Sequence, residues 1–245
     1  MTRLRGKRAF VTGGRQGIGR AIVGAFLAEG AEVLACGRGP APDGFPCAWY
    51  QLDVADPAAV AQVAGATGAL DILVNNAGVQ VEQPVTTSTD ADWEAVIGVN
   101  CRGVFNCCRA FLPAMRKGGV ILNMGSTSGM VADPSMALYN ASKAFVHGLT
   151  RAIATDHGPQ IRCNAICPGW IETGMLQAGF ALAGDPAAAR ADALMRHPMR
   201  RFGRPEDIAA MAVWLASDVA TFATGQLFTV DGGMTAASPL NPGAF

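Results

Sequence analysis

The chain is poor in charged residues, in tyrosine and in histidine. Charged residues make up 16% of its 245 positions, against about 25% in an average soluble protein. Nineteen basic and nineteen acidic side chains cancel, so no net field attracts the chain to nucleic acid or to an anionic membrane. No run approaches the roughly 18 consecutive apolar residues of a membrane span. We therefore expect a small-molecule partner, and neither nucleic acid nor a membrane.

Disulfide and metal-ligand patterns are also missing. The seven cysteines are an odd number; Cys107 and Cys108 are adjacent, and Cys163 and Cys167 lack the two-residue gap of a zinc knuckle. The three histidines are scattered, and the first ten residues lack the apolar core of a signal peptide. Reduced thiols in a cytoplasmic protein without a metal are the simplest interpretation.

Apolar residues and glycine are plentiful. Half of the chain is apolar, which suits one large domain spanning residues 1–245. The 30 glycines exceed the average share of about 7%, as expected where the backbone needs a positive φ or a close approach. The low charge also favours an oligomer, because part of the surface can be hidden between subunits.

Short apolar runs alternate with helical patterns along the chain. This alternation predicts a Rossmann-type, doubly wound α/β fold of about seven parallel strands with helices on both faces. Residues 172–204 escape the alternation and are interpreted as an insertion before the last helix. The predicted strands are 9–12, 32–36, 71–75, 120–124, 161–167 and 226–230, with one more before Asp53. The predicted helices include 17–29, 93–115, 138–156 and 205–217.

A glycine-rich loop follows the first strand, in the sequence Thr12-Gly13-Gly14-Arg15-Gln16-Gly17-Ile18-Gly19. Its glycines permit a tight turn that brings backbone amides and a helix N-terminus against a pyrophosphate. An ordinary glycine-rich turn is the alternative, but the position after the first strand favours dinucleotide binding.

Further motifs follow in a fixed order. They are Asn75-Asn76-Ala77-Gly78 after the fourth strand, Asn100 in a helix, Ser126 after the fifth strand, Tyr139 to Lys143 at a helix start, and Pro168-Gly169 with Thr173. Together with the Gly-x-x-x-Gly-x-Gly loop, this series resembles the short-chain dehydrogenase/reductase family over residues 8–233. The resemblance is to the short, single-domain branch, since the extended branch has a longer chain and another glycine spacing.

Tyr139 and Lys143 are four residues apart and share one helix face. A nearby ammonium stabilises a phenolate, so we expect Lys143 to lower the pKa of Tyr139 and let it exchange a proton with substrate. Such a pair also occurs by chance on surface helices. The family resemblance implies that Lys143 also holds the nicotinamide ribose, that Ser126 orients the substrate oxygen, and that Asn100 holds a water.

The end of the second strand reads Ala35-Cys36-Gly37-Arg38, without the acid that would accept hydrogen bonds from an adenosine ribose. Arg38, aided by Arg15, can grip a 2′-phosphate, so NADP is favoured and NAD remains possible. An exposed loop position for Arg38 is the alternative.

The resemblance implies the remaining cofactor contacts. Asp53 and Val54 meet the adenine, Asn75, Ala77 and Gly78 pass beneath the adenosine, and Pro168 and Gly169 turn beneath the nicotinamide. Ile171 and Thr173 meet its carboxamide. The cofactor-binding candidates are Gly13, Arg15, Gln16, Gly17, Ile18, Gly19, Arg38, Asp53, Val54, Asn75, Ala77, Gly78, Tyr139, Lys143, Pro168, Gly169, Ile171 and Thr173.

We expect substrate specificity to reside in the insertion, residues 172–204, which contains five arginines and three acidic residues. A small carboxylate substrate is conceivable, although these arginines can equally pair with the acids. The C-terminal half resembles hydroxybutyrate and keto-deoxy sugar acid dehydrogenases, members that usually carry the acid missing at Gly37. Candidate substrate residues are Gln80, Ser128, Trp170 and Arg190.

These residues predict an NAD(P)-dependent oxidoreductase that interconverts a secondary alcohol and a ketone, with a hydroxy acid or sugar acid as one substrate class. A reductase of neutral ketones or 3-oxoacyl thioesters is an alternative. A non-catalytic NADP-binding redox sensor is another. Members of the family are commonly homotetramers, and the resemblance implies the same assembly here.

Overall fold

A parallel sheet of seven strands lies at the centre of residues 2–237, the part of the chain that this computed structural model describes. The strand order is β3-β2-β1-β4-β5-β6-β7, and all pairs are parallel. The predicted doubly wound fold is confirmed. The strands are β1 (Arg8–Thr12), β2 (Glu32–Gly37), β3 (Ala48–Gln51), β4 (Ile72–Asn75), β5 (Gly119–Met124), β6 (Ile161–Pro168) and β7 (Leu227–Val230).

Helices cover both faces of the sheet. They are α1 (Gly17–Ala28), α2 (Pro57–Thr67), α3 (Asp90–Ile97), α4 (Val104–Phe111), α5 (Ala137–His157), α6 (Gly174–Ala181), α7 (Pro186–Met195) and α8 (Pro205–Ala216). None of these helices is both long and apolar enough to cross a membrane.

Alternate residues of each strand supply two cores. In β1, Ala9 and Val11 pack with residues of α1 and α8, whereas Phe10 points to the other face and packs with α2, α4 and α5. Successive strand side chains point to opposite faces, so a sheet covered on both sides needs the unbroken apolar runs that the sequence contains. The two cores hold the strand ends in place, and those ends carry the site.

The predicted helix over 93–115 is wrong as a single element. The structure has α3, then a π-helical stretch at Gly98–Gly103, then α4 and a short 3₁₀ turn at Leu112–Ala114. Gly103 allows this path, because a Cβ there would lie 2.6 Å from Cγ2 of Val54. π-Helical turns are frequent at functional sites, and this one carries Asn100.

The stretch 172–204 contains two short helices, α6 and α7, which with their flanking loops we call the lid. Thr173 caps α6 by accepting a hydrogen bond from the Leu176 amide (3.4 Å). Asp185 caps α7 by accepting from the amides of Ala187 (3.1 Å) and Ala188 (3.0 Å). The cap of α7 had a sequence signal, because Asp185 directly precedes Pro186.

Candidate functional site

A cleft of about 850 Å³ opens at the carboxyl ends of the strands. The chain leaves β1 toward β2 on one side and reaches β4 on the other, and doubly wound sheets bind ligands at such a reversal. The volume is in the usual range of small-molecule and cofactor sites. The predicted residues that line it are Gly13, Arg15, Gln16, Gly17, Ile18, Arg38, Asp53, Val54, Ala77, Gly78, Gln80, Ser126, Ser128, Tyr139, Lys143, Pro168, Gly169, Trp170, Ile171 and Thr173.

The glycine loop has the shape that a pyrophosphate requires. Gly13 and Gly17 have φ of 65° and 53°, in the left-handed region that favours glycine. A Cβ on Gly19 would lie 2.3 Å from the carbonyl oxygen of Gly13. Gly19 therefore lies behind the loop and permits its tight turn.

The N-terminus of α1 has free capacity for an anion. Its cap residue, Gln16, makes no side-chain capping bond, and its first turn contains no acid. The first amides of a helix have no partner within the helix and carry partial positive charge. With the loop glycines, they form a site that fits the pyrophosphate of a dinucleotide.

The loops after β1 and β4 are joined by hydrogen bonds. Thr12 Oγ1 accepts from the amides of Asn76 (2.9 Å) and Ala77 (3.0 Å), and Asn76 Nδ2 donates to the Thr12 carbonyl (3.0 Å). Asn76 lines the cleft. Asn75 instead is buried and donates to Asn123 Oδ1 (2.8 Å). The structure thus places Asn76 where the sequence interpretation placed Asn75.

The end of the cleft next to the glycine loop, which we call the cofactor end, carries two arginines. Arg38 is exposed at its rim, and Arg15 donates to the Pro40 carbonyl (2.7 Å), which holds it over the same loop. A Cβ on Gly37 would lie 2.9 Å from the ring of Trp49, so even a small side chain there would need the ring to move. Asp53 also lines the cleft, and its Oδ1 accepts from the Ala55 amide (2.9 Å).

Tyr139, Lys143 and Ser126 together line one wall of the cleft. Lys143 is buried; its Nζ donates to the Met124 carbonyl (2.9 Å) and lies 5.4 Å from the centroid of the Tyr139 ring. Ser126 is buried after β5 and lines the same cleft. The first turn of α5 and the end of β5 thus bring together residues that are far apart in sequence.

Asn100 lies behind this wall. Its Oδ1 accepts from the Val79 amide (2.9 Å), and its Nδ2 donates to the Val79 carbonyl (2.9 Å) and to Ser142 Oγ (3.0 Å). A Cβ on Gly78 would lie 3.5 Å from Asn100 Oδ1 and 3.8 Å from Lys143 Nζ. Asn100 therefore fixes the loop after β4 close to the lysine.

Burial has the largest effect on the pKa values of Tyr139 and Lys143. It raises the pKa of Tyr139 to about 12, opposed by the hydrogen bond with Ser126 and assisted by the negative charge of Asp133. It lowers the pKa of Lys143 to about 8. The expectation that Lys143 depresses the pKa of Tyr139 is not met, because removal from water disfavours the charged form of both groups. At neutral pH the tyrosine is a phenol.

A chain of hydroxyls leads away from Ser126. Ser126 Oγ donates to Ser128 Oγ (3.0 Å), and Ser128 Oγ donates to Asp133 Oδ2 (2.5 Å). Asp133 lines the cleft but was not a candidate. The only sequence signal was its position between Ser126 and Tyr139, which does not distinguish it from its neighbours.

The candidate substrate residues separate into two groups. Gln80, Ser128 and Trp170 line the cleft, and Trp170 packs against Phe180 of the lid (centroids 5.5 Å apart). Arg190 instead forms an ion pair with Glu172 and lies over the ring of Phe202. The structure places Arg196, not Arg190, among the lining residues of the lid.

Comparison with known proteins agrees with this geometry. A family model described as enoyl-(acyl carrier protein) reductase matches residues 13–235. The chain is 38% identical to a 3-oxoacyl-acyl-carrier-protein reductase of Thermotoga maritima, covering 95% of this chain and 99% of the relative. The chain belongs to the short-chain dehydrogenase/reductase family. The resemblance drawn from the motifs is confirmed.

Other members extend the picture. The chain is 38% identical to a 2-keto-3-deoxy-L-fuconate dehydrogenase of Xanthomonas campestris pv. campestris, over 95% of this chain and 81% of that one. The ligand-free aldohexose dehydrogenase of Thermoplasma acidophilum superposes with a TM-score of 0.91 at 32% identity, over 98% of both chains. As a member of this family, the protein is an oxidoreductase that interconverts a secondary alcohol and a ketone with a nicotinamide cofactor.

Proposed function

We propose that Tyr139 transfers the proton, Ser126 orients the substrate oxygen, and Lys143 supports both in a reaction between a secondary alcohol and a ketone. The observation that carries this is their convergence on the same cleft that the glycine loop lines. When bound, the nicotinamide accepts or supplies the hydride. The residues of the chain bind the cofactor, orient the substrate and protonate its oxygen.

Tyr139 acts as a proton donor in the direction of ketone reduction. With a pKa raised to about 12, its hydroxyl is protonated at neutral pH and can donate to a carbonyl oxygen. Alcohol oxidation needs the opposite transfer, which becomes easier as the pH rises. Lys143 places positive charge nearby and has the position to hold the nicotinamide ribose, while Asn100 holds a water behind it.

NADP is the preferred cofactor, with NAD as the weaker one. Arg38 and Arg15 offer two guanidinium groups at the cofactor end, and planar guanidiniums bind phosphate bidentately. Gly37 stands where an acid would repel that phosphate. The glycine loop and α1 take the pyrophosphate, and the remaining predicted contacts (Asp53, Val54, Ala77, Gly78, Pro168, Gly169, Ile171 and Thr173) line the rest of the cleft.

The substrate is bound between Gln80, Ser128, Trp170 and the lid. The names of the relatives span a 3-oxoacyl reductase, a keto-deoxy sugar acid dehydrogenase and an aldohexose dehydrogenase, so they leave the class of ketone open. Closure of the lid would exclude water during turnover.

The protein acts as a homotetramer of single-domain chains (1–245) in the cytoplasm. Phe105 on α4 and Phe145 on α5 are each 43% exposed, and exposed aromatic side chains favour burial between subunits. The seven cysteines are free thiols, as expected in a reducing compartment.

Replacing Tyr139 tests both the enzyme and its alternative, the redox sensor. Tyr139→Phe keeps the ring and removes the proton, so we expect turnover of secondary alcohols and ketones to fall by roughly a hundredfold or more while NADPH still binds. Tyr50→Phe is the matched control, since Tyr50 lies on β3 and its ring packs against that of Phe10 (centroids 6.0 Å apart). Full activity in Tyr139→Phe would overturn the proposal, and a wild type without turnover would favour the sensor.

A further inference from the structure

The part of the cleft beyond Ser126 and Tyr139, which we call the substrate end, carries acidic side chains. Glu82, Asp133 and Asp192 line it together with one guanidinium, that of Arg196. Arg196 is already paired with Asp192 (2.8 Å). Within residues 2–237, Glu82 and Asp133 take part in no ion pair.

The arginines of the lid do not compensate this charge. Arg190 pairs with Glu172 outside the lining, and Arg201 pairs with Asp207 at the start of α8. The excess of arginine over acid in residues 172–204 is thus a property of the sequence segment, not of the cleft. Among the described residues that line the substrate end, a carboxylate substrate would meet two unpaired negative charges and only one guanidinium, which Asp192 already occupies.

Glu82 and Asp133 are held close to the reaction centre. The loops that carry them are joined by a bridge between Gln83 and Met136. Two hydrogen bonds, by way of the Ser128 hydroxyl, link Ser126 to Asp133, and Asn140 Nδ2 donates to the Asp133 backbone carbonyl (3.0 Å).

The lid leaves room for the second carboxylate. Glu82 Oε1 accepts from Gln80 Nε2 (2.7 Å), and a Cβ on Gly179 of α6 would lie 2.7 Å from that same oxygen. The carboxylates of Glu82 and Asp133 are therefore held in position, and each accepts a hydrogen bond from one side chain. A carboxylate has about four acceptor sites, so acceptor capacity remains on both for a ligand.

We infer that the substrate is a neutral, hydroxyl-rich molecule, a polyol or sugar, whose hydroxyls donate to Glu82 and Asp133, and that these two residues select against carboxylates. This inference rests on the proposed function, since it assumes that the reacting carbon lies beside Ser126 and Tyr139. It replaces the small carboxylate that the sequence left open as a substrate.

Two matched pairs of compounds test the inference in the wild type with NADP(H). Methyl acetoacetate and acetoacetate differ in charge, and glycerol and isopropanol differ in the hydroxyls that flank a secondary alcohol. We expect kcat/KM to be about tenfold or more higher for the ester than for the acid, as one like charge nearby in a partly buried site predicts, and higher for glycerol than for isopropanol.

Isosteric amides identify the residues. Glu82→Gln and Asp133→Asn should each narrow the ester-to-acid ratio several-fold and weaken the preference for glycerol, whereas Glu94→Gln, on the exposed surface of α3, should change neither. Unchanged NADPH affinity and melting temperature would show that each variant is folded.

Two results overturn the inference while leaving the proposed function in place. One is a wild type that uses acetoacetate as well as its ester, and the other is a preference for the ester that survives both amide substitutions. A wild type that turns over none of the four compounds, with either cofactor, overturns the proposed function and the inference with it.

Discussion

The two ends of the cleft are built in different ways. At the cofactor end, loops at the ends of β1 and β4 are held by bonds between side chain and backbone, such as those of Thr12 and Asn76, and the binding groups are largely backbone amides. At the substrate end, the polar groups are the side chains of Glu82, Asp133 and the lid, which lie on separate loops. We therefore expect the first end to accept one kind of molecule, and the second to change its substrate preference when its side chains are replaced.

This difference explains how each end tolerates substitution. A backbone site fails when the backbone is displaced, because its donors cannot move independently. A side-chain site changes its preference instead, because each group contributes separately. Substitutions at the cofactor end should therefore reduce cofactor binding and activity. Substitutions at the substrate end should instead change which substrate is preferred.

Gly19→Ala should have the largest effect of the changes at the cofactor end. The new Cβ would lie 2.3 Å from the Gly13 carbonyl oxygen, so the loop must move, and a displacement near 1 Å can cost roughly a hundredfold in rate. We expect kcat/KM for NADPH to fall by about that factor, with a lower melting temperature. The measurement is a cofactor titration with steady-state kinetics.

Gly24→Ala is the matched control on the same helix. A Cβ at Gly24 meets no atom within 4 Å, and Ala is favoured over Gly within a helix by about 0.5–1 kcal/mol. The control should keep full activity and raise the free energy of unfolding. Equal behaviour of the two variants would contradict the role given to the loop.

Arg38→Ser removes one of the two guanidinium groups that the cofactor end offers to a phosphate. Loss of a charge-assisted bond to phosphate should weaken NADPH binding about tenfold to a hundredfold, while NADH binding, which involves no such phosphate, stays within about twofold. Direct binding measurements with both cofactors give the ratio. An equal loss for both would mean that Arg38 contacts the adenosine in another way.

Glu172→Gln should have the smallest effect. The ion pair with Arg190 joins side chains that are 36% and 45% exposed, and exposed pairs contribute about 0–1 kcal/mol. We expect a change of that size in the free energy of unfolding and an unchanged KM for substrate. A several-fold change in KM would show that this pair sets the position of the lid.

The sequence was sufficient to predict the sheet, the glycine loop and the positions of Ser126, Tyr139 and Lys143, because local motifs at strand ends determine them. It could not predict the π-helical stretch around Asn100, which depends on the approach of Gly103 to Val54. The substrate end depends on which loops meet: nothing near Glu82 in sequence indicates that it lies against Gly179, and nothing near Arg190 indicates that Glu172 pairs with it.

The protonation state of Tyr139 was also outside the reach of sequence. Spacing indicated a lysine one turn away, which favours a lowered pKa. Burial, which only the fold determines, raises the pKa of the phenol and lowers that of the ammonium. Tyr139 is therefore protonated at neutral pH and can donate a proton, whereas it can accept one only after it ionises at higher pH.

Titration of Tyr139 is the most direct test of its protonation state. The chain has two tyrosines, so Tyr50→Phe leaves Tyr139 as the sole source of tyrosinate absorbance in the ligand-free enzyme. We expect no tyrosinate signal as the pH rises through about 10, the ordinary pKa of tyrosine, with ionisation only at more alkaline pH. A tyrosinate signal that appears near neutral pH would contradict the assignment of Tyr139 as a protonated donor.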